Sequence, residues 1–175
     1  MAGASVSDPL IVSAVLEADA QEDLDARRRR FFPAARLRVG AHLTLFHALP
    51  GDREAEVAAT LAQLTAGRPR PAITVGEAFG LGRGVAFRMP SPELEEIRGE
   101  IAEAFRTVLT AQDARPWRPH VTVQNKVEPD EARRTLAGVQ AGHAPYETVV
   151  EALALWHYRG GPWEAAGEFA FGSRS

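Results

Sequence analysis

The residues best equipped for chemistry are two histidines set in one repeated pattern. His42-Leu43-Thr44-Leu45 and His120-Val121-Thr122-Val123 both read histidine, apolar, threonine, apolar. An imidazole has an ordinary pKa of about 6.5, so near neutral pH a pair of rings supplies both a general base and a general acid. A threonine hydroxyl beside each ring adds a donor for an oxygen that gathers negative charge. With ordinary residue frequencies such a string follows a histidine roughly once in a hundred cases, so two among five histidines amount to about a one-in-a-thousand coincidence.

Each string alternates like a half-buried strand, in which successive side chains point to opposite faces. His42 and Thr44 then share one face, with Leu43 and Leu45 on the other, and His120 and Thr122 stand in the same way against Val121 and Val123. Extending the parity adds Gly40 and Phe46 to the face of His42, and Arg118 and Gln124 to that of His120. The two faces are therefore unequal: Arg118 offers an anion contact, Phe46 a wall or a stacking ring. His47 has the parity of Leu43 and turns away. His143, after a helix-ending glycine, and His157, between Trp156 and Tyr158, read as structural or solvent-facing. Trp156 and Tyr158 share a face and could border the site as a platform.

The elements that must carry these strings come in a repeating order. Leu10 to Leu16 reads as a buried strand, Ala20 to Phe32 as a helix that stops before Pro33, and the first motif as a strand ending at Pro50-Gly51. Asp52 is a candidate cap for a helix burying Val57, Leu61 and Leu64, and Ala72 to Phe79 resumes strand character. After turns at Gly80, Gly82 and Gly84, Val85 to Met89 is a strand. Ser91-Pro92 then opens a helix with Leu94, Ile97, Ile101, Phe105 and Val108 on one face. The second motif follows as a strand to about Gln124. Pro129 begins a helix with Ala132, Leu136 and Val139 inward, closed by Gly142, and strands follow near Glu147 to Tyr158 and Trp163 to Phe171. Such an order predicts an α+β fold of two duplicated βαβαβ-type halves, with antiparallel sheets around a central groove and an approximate two-fold axis. The expected division is a flexible N-terminus over residues 1–9 and a single domain over 10–175, with lobes near 10–80 and 84–171.

Composition narrows the setting. A chain of 175 residues with 45% apolar content builds one sizeable core. The absence of cysteine excludes disulfides and thiolate chemistry, and suits a cytoplasmic protein. Leu10 to Leu16 is too short, and too soon ended by Glu17, for a signal peptide or a membrane span. A net charge of -3 argues against tracking long nucleic acid through many phosphate contacts, yet leaves a small ligand or a nucleic-acid end open. The basic run Arg27 to Arg30, preceded by Asp19, Glu22, Asp23 and Asp25, reads as a solvated helix face. There is no His-x-His, no His-Glu-x-x-His and no Gly-x-Ser-x-Gly, so neither a metal site nor a serine nucleophile is expected.

With both motifs set in a duplicated strand-helix background, the chain resembles the 2H phosphoesterases, and among them the bacterial 2'-5' RNA ligase-like, or cyclic phosphodiesterase, proteins. The likeness runs from about Leu10 to Phe171, with His42-Leu43-Thr44-Leu45 and Pro119-His120-Val121-Thr122-Val123 as its specific points. The resemblance implies a groove holding both histidines and threonines, and cofactor-free, metal-independent chemistry on 2',3'-cyclic or 2'-5' phosphodiester linkages. The implied partner is an RNA end or a small cyclic or 2'-5'-linked nucleotide, with no membrane and a monomeric chain. Opening a cyclic phosphodiester needs a proton taken from water and another given to the departing ribose oxygen, on opposite sides of phosphorus. His42 and His120 are the expected acid and base, in either order. Thr44, Thr122 and Arg118 are expected at the phosphate, and Phe46, Gln124, Trp156 and Tyr158 are candidates for groove or base contacts. The competing reading is a noncatalytic nucleotide or RNA-end binding module on the same fold. Retention of histidine and threonine at all four motif positions favours the enzyme, because binding alone tolerates other donors.

Overall fold

Seven uncharged residues, Leu10–Leu16, form the first strand (β1), and nearly all of its side chains are buried. The computed structural model describes residues 7–172; of the segment 1–9 expected to be flexible, residues 1–6 lie outside it. After β1 the chain runs through α1 (Ala18–Phe31), β2 (Leu43–Leu49), α2 (Glu54–Thr65), β3 (Ala72–Val75) and β4 (Ala78–Gly80). It continues through β5 (Val85–Arg88), α3 (Pro92–Ala104), β6 (His120–Gln124), α4 (Pro129–Gly142), β7 (Tyr146–His157) and β8 (Glu164–Ala170).

Every strand-to-strand ladder is antiparallel. One sheet runs β2-β1-β7-β3 with β8 also on β7, and the other runs β4-β5-β6. The expected α+β class with antiparallel sheets is therefore the observed one. The sheets, however, do not follow the order of the chain. β7 pairs along one edge with β1, while its other edge takes β3 at Tyr146 to Val149 and β8 from Ala152 onward. Strands from the second half thus complete the sheet that the first half begins.

The strand expected over Ala72 to Phe79 breaks at Gly76, sending β3 to one sheet and β4 to the other. Gly76 donates to the carbonyl of Arg88 at 2.8 Å, and a Cβ there would stand 3.0 Å from that oxygen, so a side chain would crowd the junction.

Ser91 caps α3 as expected, accepting from Leu94 N at 3.1 Å while donating to Ala72 O at 2.6 Å. Leu94, Ile97 and Ile101 are buried, as is Phe105 just past the helix end. Val108 is exposed, because the helix stops at Ala104 and the chain turns away. α2 starts at Glu54 after a tight turn over Gly51–Arg53, so Asp52 lies in that turn rather than at the cap. One core joins both sheets, with Leu10, Phe46 and Leu153 packed in the same cluster as Phe87, Ile101 and Val121. Each such side chain contributes about 1.5–3 kcal/mol of hydrophobic stabilisation, which makes the relative position of the two sheets stiff. The motif strands gain a rigid base.

Candidate active site

β2 is the end strand of one sheet and β6 the end strand of the other. No ladder joins them, yet His42, Thr44, His120 and Thr122 line one groove of about 540 Å3. Two side chains hold the strands in place across the gap. Arg28 of α1 donates through Nη1 to Thr122 O at 2.7 Å and through Nε to Val39 O at 2.9 Å. Trp117 donates its indole N–H to Thr44 O at 3.0 Å.

Arg28 corrects the expectation of a solvated basic face. It is only 6% exposed and stacks over Phe32 at 4.3 Å. Its place on the buried stripe, with Ala20 and Leu24 at spacings of four, was a signal that the flanking charges masked. The Asp25 carboxylate lies in the same region and accepts from Ala41 N at 2.7 Å, fixing the backbone just before His42.

The histidines are oriented in the same way. His42 Nδ1 lies 2.8 Å from Gly40 O, and His120 Nδ1 lies 2.8 Å from Arg118 O. A carbonyl only accepts, so each Nδ1 carries the proton and each Nε2 is left for chemistry. Burial pushes the His42 pKa below the ordinary imidazole value, and positive charge at Arg28, His120 and His47 pushes the same way; the bond to Gly40 O opposes them. The indole of Trp163, in the β7–β8 connection, meets His42 edge-on with ring centroids 4.6 Å apart. Trp163 was missed in sequence: it stands beside Gly160, Gly161 and Pro162, where no periodicity shows which way a side chain turns.

Arg118 lines the groove, and among the described residues its side chain has no hydrogen bond or ion pair. Phe46 and Gln124 do not join it. In β2 the register against β1 slips on either side of Phe46, whose partner is Val12. These irregularities reverse the parity: Phe46, 0% exposed, enters the core beneath the Arg98 guanidinium at 4.4 Å, and His47 turns into the groove instead of away from it. In β6 the register slips between Thr122 and Gln124, and Gln124 is buried, donating to Thr135 Oγ1 of α4 at 2.9 Å.

Trp156 donates to Ser13 Oγ at 2.9 Å and lies 6.0 Å from the Trp163 ring, outside the groove lining. Tyr158 is exposed and also outside it. His143 lies 2.8 Å from Gly76 O through Nε2, and His157 pairs with Glu54 at 3.2 Å; both stand apart from the groove. The groove lining further includes Arg98, Gln112, Asp113, Arg115 and Trp117, from the α3–β6 connection and the helix before it. Sequence pattern gave no hold on that connection. Among the described residues, no three of His, Cys, Asp and Glu gather in a set fit for a metal ion, and no helix is long and apolar enough to cross a membrane.

This architecture matches solved structures over nearly its whole length. Escherichia coli LigT complexed with 3'-AMP shares 18% identity with a TM-score of 0.61, covering 95% of this chain and 99% of that one. LigT has also been solved with NADP+, at 19% identity and TM-score 0.62 over 94% and 98% of the two chains. TT0787 of Thermus thermophilus shares 14% identity at TM-score 0.65, covering 95% and 100%. The fold is thus that of the LigT-like phosphoesterases. A search of curated proteins by sequence returns no significant match. The family model of the 2'-5' RNA ligase superfamily matches residues 16–162, and the chain belongs to that superfamily, the 2H phosphoesterases.

Proposed function

We propose that the chain is a metal-independent phosphoesterase that hydrolyses, or reversibly forms, 2',3'-cyclic or 2'-5' phosphodiester linkages in RNA ends or nucleotides. One observation carries the reading: two histidines in one groove, each with Nδ1 held by the carbonyl two residues before it and Nε2 left open. Membership of the superfamily supports phosphoesterase-type activity. The LigT structure with 3'-AMP shows that a protein of this fold accepts a nucleotide carrying phosphate on its ribose.

In the proposed reaction, water attacks phosphorus in line with the departing ribose oxygen. His42 takes the water proton at Nε2, the ribose P–O bond breaks, and His120 gives its proton to the freed oxygen. The product is a phosphomonoester. Desolvation keeps the His42 ring neutral at pH 7, which suits the base, and the more exposed His120 then serves as the acid. The hydroxyls of Thr44 and Thr122 and the free guanidinium of Arg118 donate to the nonbridging oxygens as charge develops there.

The test is ring opening of a nucleoside 2',3'-cyclic phosphate in the presence of a chelator. His42→Ala and His120→Ala each lower kcat by at least about a hundredfold, the usual scale of general acid–base catalysis, with the circular dichroism spectrum unchanged. Full turnover in either variant rejects the two-histidine mechanism, and loss of activity with chelator rejects metal independence. Binding without turnover in the native protein identifies a binding module instead.

A further inference from the structure

Past the two histidines, the groove continues along β2 to a cluster that the proposed reaction does not use: His47, Gln112 and Arg115, with Asp113 behind them. Asp113 is 1% exposed. Its carboxylate accepts from His47 N and Ala48 N, both at 2.9 Å, and its Oδ1 lies 3.1 Å from His47 Nδ1. An ionised carboxylate only accepts, so the His47 ring donates through Nδ1, and Nε2, left open, donates to an anion when the ring carries both protons, a form that the Asp113 carboxylate favours. The His47 side chain is 47% exposed, on the groove.

The polar groups around it are almost all donors. Arg98 is committed to the carbonyls of Leu45, at 3.3 Å, and Asp113, at 2.6 Å. Arg115, like Arg118, has no side-chain hydrogen bond or ion pair among the described residues. Among the described residues Asp113 supplies the one carboxylate in the lining, and its oxygens are already taken by N–H groups. In a chain of net charge -3, this end of the groove therefore presents the uncommitted guanidinium of Arg115 beside His47 with no free carboxylate to pair with it, which draws an anion. It is also offset from the reacting site. Ser13 and Leu10 of β1 face Thr44 and Leu49, so five residues of the bulged β2 advance only as far as three of β1; at about 3.3 Å per β1 residue, Thr44 and His47 are offset by roughly 6 Å along the strand, a spacing of neighbouring phosphates along a nucleotide rather than of oxygens on one phosphate.

We propose that His47, held by Asp113, and Arg115 form a subsite for a second phosphate of the substrate, one ribose away from the phosphodiester at His42 and His120. The inference rests on the proposed function for the position of the first phosphate. Two substrates carry this chemistry: an RNA end, whose last nucleotide has a 5' phosphodiester, and a small nucleotide with a free 5' phosphate.

Calorimetry on the whole chain tests it without turnover. The ligands are the adenosine 2'- and 3'-monophosphates, the corresponding 2',5'- and 3',5'-bisphosphates, and dinucleotides ending in a 2'- or 3'-phosphate. The second phosphate tightens binding about tenfold, the scale of one charge-assisted contact. His47→Ala and, separately, the surface change Arg115→Gln each cut that gain to less than about threefold. A gain with the dinucleotide assigns the subsite to an RNA end, and a gain with the bisphosphate alone assigns it to a small nucleotide. Equal affinities with and without the second phosphate, a gain that survives both substitutions, or no binding of any of these ligands overturns the proposal. Loss of ring opening is a separate matter: if the binding gain holds while His42→Ala retains full turnover, the two-histidine reaction fails and the subsite stands.

Discussion

Arg28 donates to the carbonyl of Thr122 at 2.7 Å, tying a helix that precedes the first motif to the middle of the second. Trp117 makes the reciprocal bond, from just before the second motif to Thr44 O at 3.0 Å. Each motif threonine thus has its carbonyl fixed by a side chain that precedes the other histidine. With no ladder between β2 and β6, these cross-bonds set how the two imidazoles face one another. In-line displacement demands that control, because a small misplacement of acid against base is costly in rate.

Substitution at Arg28 separates its two effects. Arg28→Met removes the buried charge and leaves the carbonyls of Val39 and Thr122 without their donor, costing about 1–3 kcal/mol for each unpaired group. The charge also helps hold the His42 pKa down. The base works only when neutral, so kcat/KM rises with pH through the His42 pKa, and Arg28→Met moves that acidic limb upward. Arg28→Lys keeps the charge but loses the fork, so turnover falls while the limb stays near its native position. An identical limb in the native, Met and Lys proteins refutes the electrostatic part.

Asp113 gives a stability test. Burial raises its pKa, but the His47 ring and the backbone N–H groups of His47 and Ala48 outweigh burial and hold it below 3.8. A carboxylate depressed in the folded state contributes stability that is complete above its unfolded value, about pH 4, and is lost as pH falls through the folded value. Asp113→Asn turns an amide N–H toward groups that are themselves donors, at a cost of about 1–3 kcal/mol at pH 7. Urea unfolding at pH 7 and pH 3 checks both points: the native protein loses more stability on acidification than the Asn variant does. Equal losses count against the ion-held edge.

What could be read from the sequence follows from where periodicity operates. Ser91-Pro92, the inward stripe of Leu94, Ile97 and Ile101, and both motif strands depend on neighbours close in the chain, and they stand where pattern puts them. Parity failed past Thr44 and past Thr122, where register slips exchange the faces, sending Phe46 and Gln124 inward and His47 out. A bulge leaves no mark in an apolar-polar pattern. The groove residues Asp113 and Trp117, and Trp163 against His42, come from connections whose course is set by long-range contacts, and nothing local announces them. Arg28 was legible in principle, as the fourth-spaced continuation of Ala20 and Leu24, but its charged neighbours hid the stripe.

Trp163 tests the part played by dryness at the base. Its ring meets His42 edge-on at 4.6 Å, and burial is the foremost cause that lowers the His42 pKa. Trp163→Ala lets water reach the imidazole, so the pKa rises toward 6.5 and more of the base is protonated in mild acid. Relative to native, the variant therefore loses more activity at pH 5.5 than at pH 7.5, and the His42 ring proton resonance titrates at higher pH. Trp163→Phe keeps an aromatic cover and falls between the two. A titration unmoved by Trp163→Ala, or an equal loss at both pH values, shows that the indole does not dry the base, and any remaining loss of turnover then belongs to substrate contact.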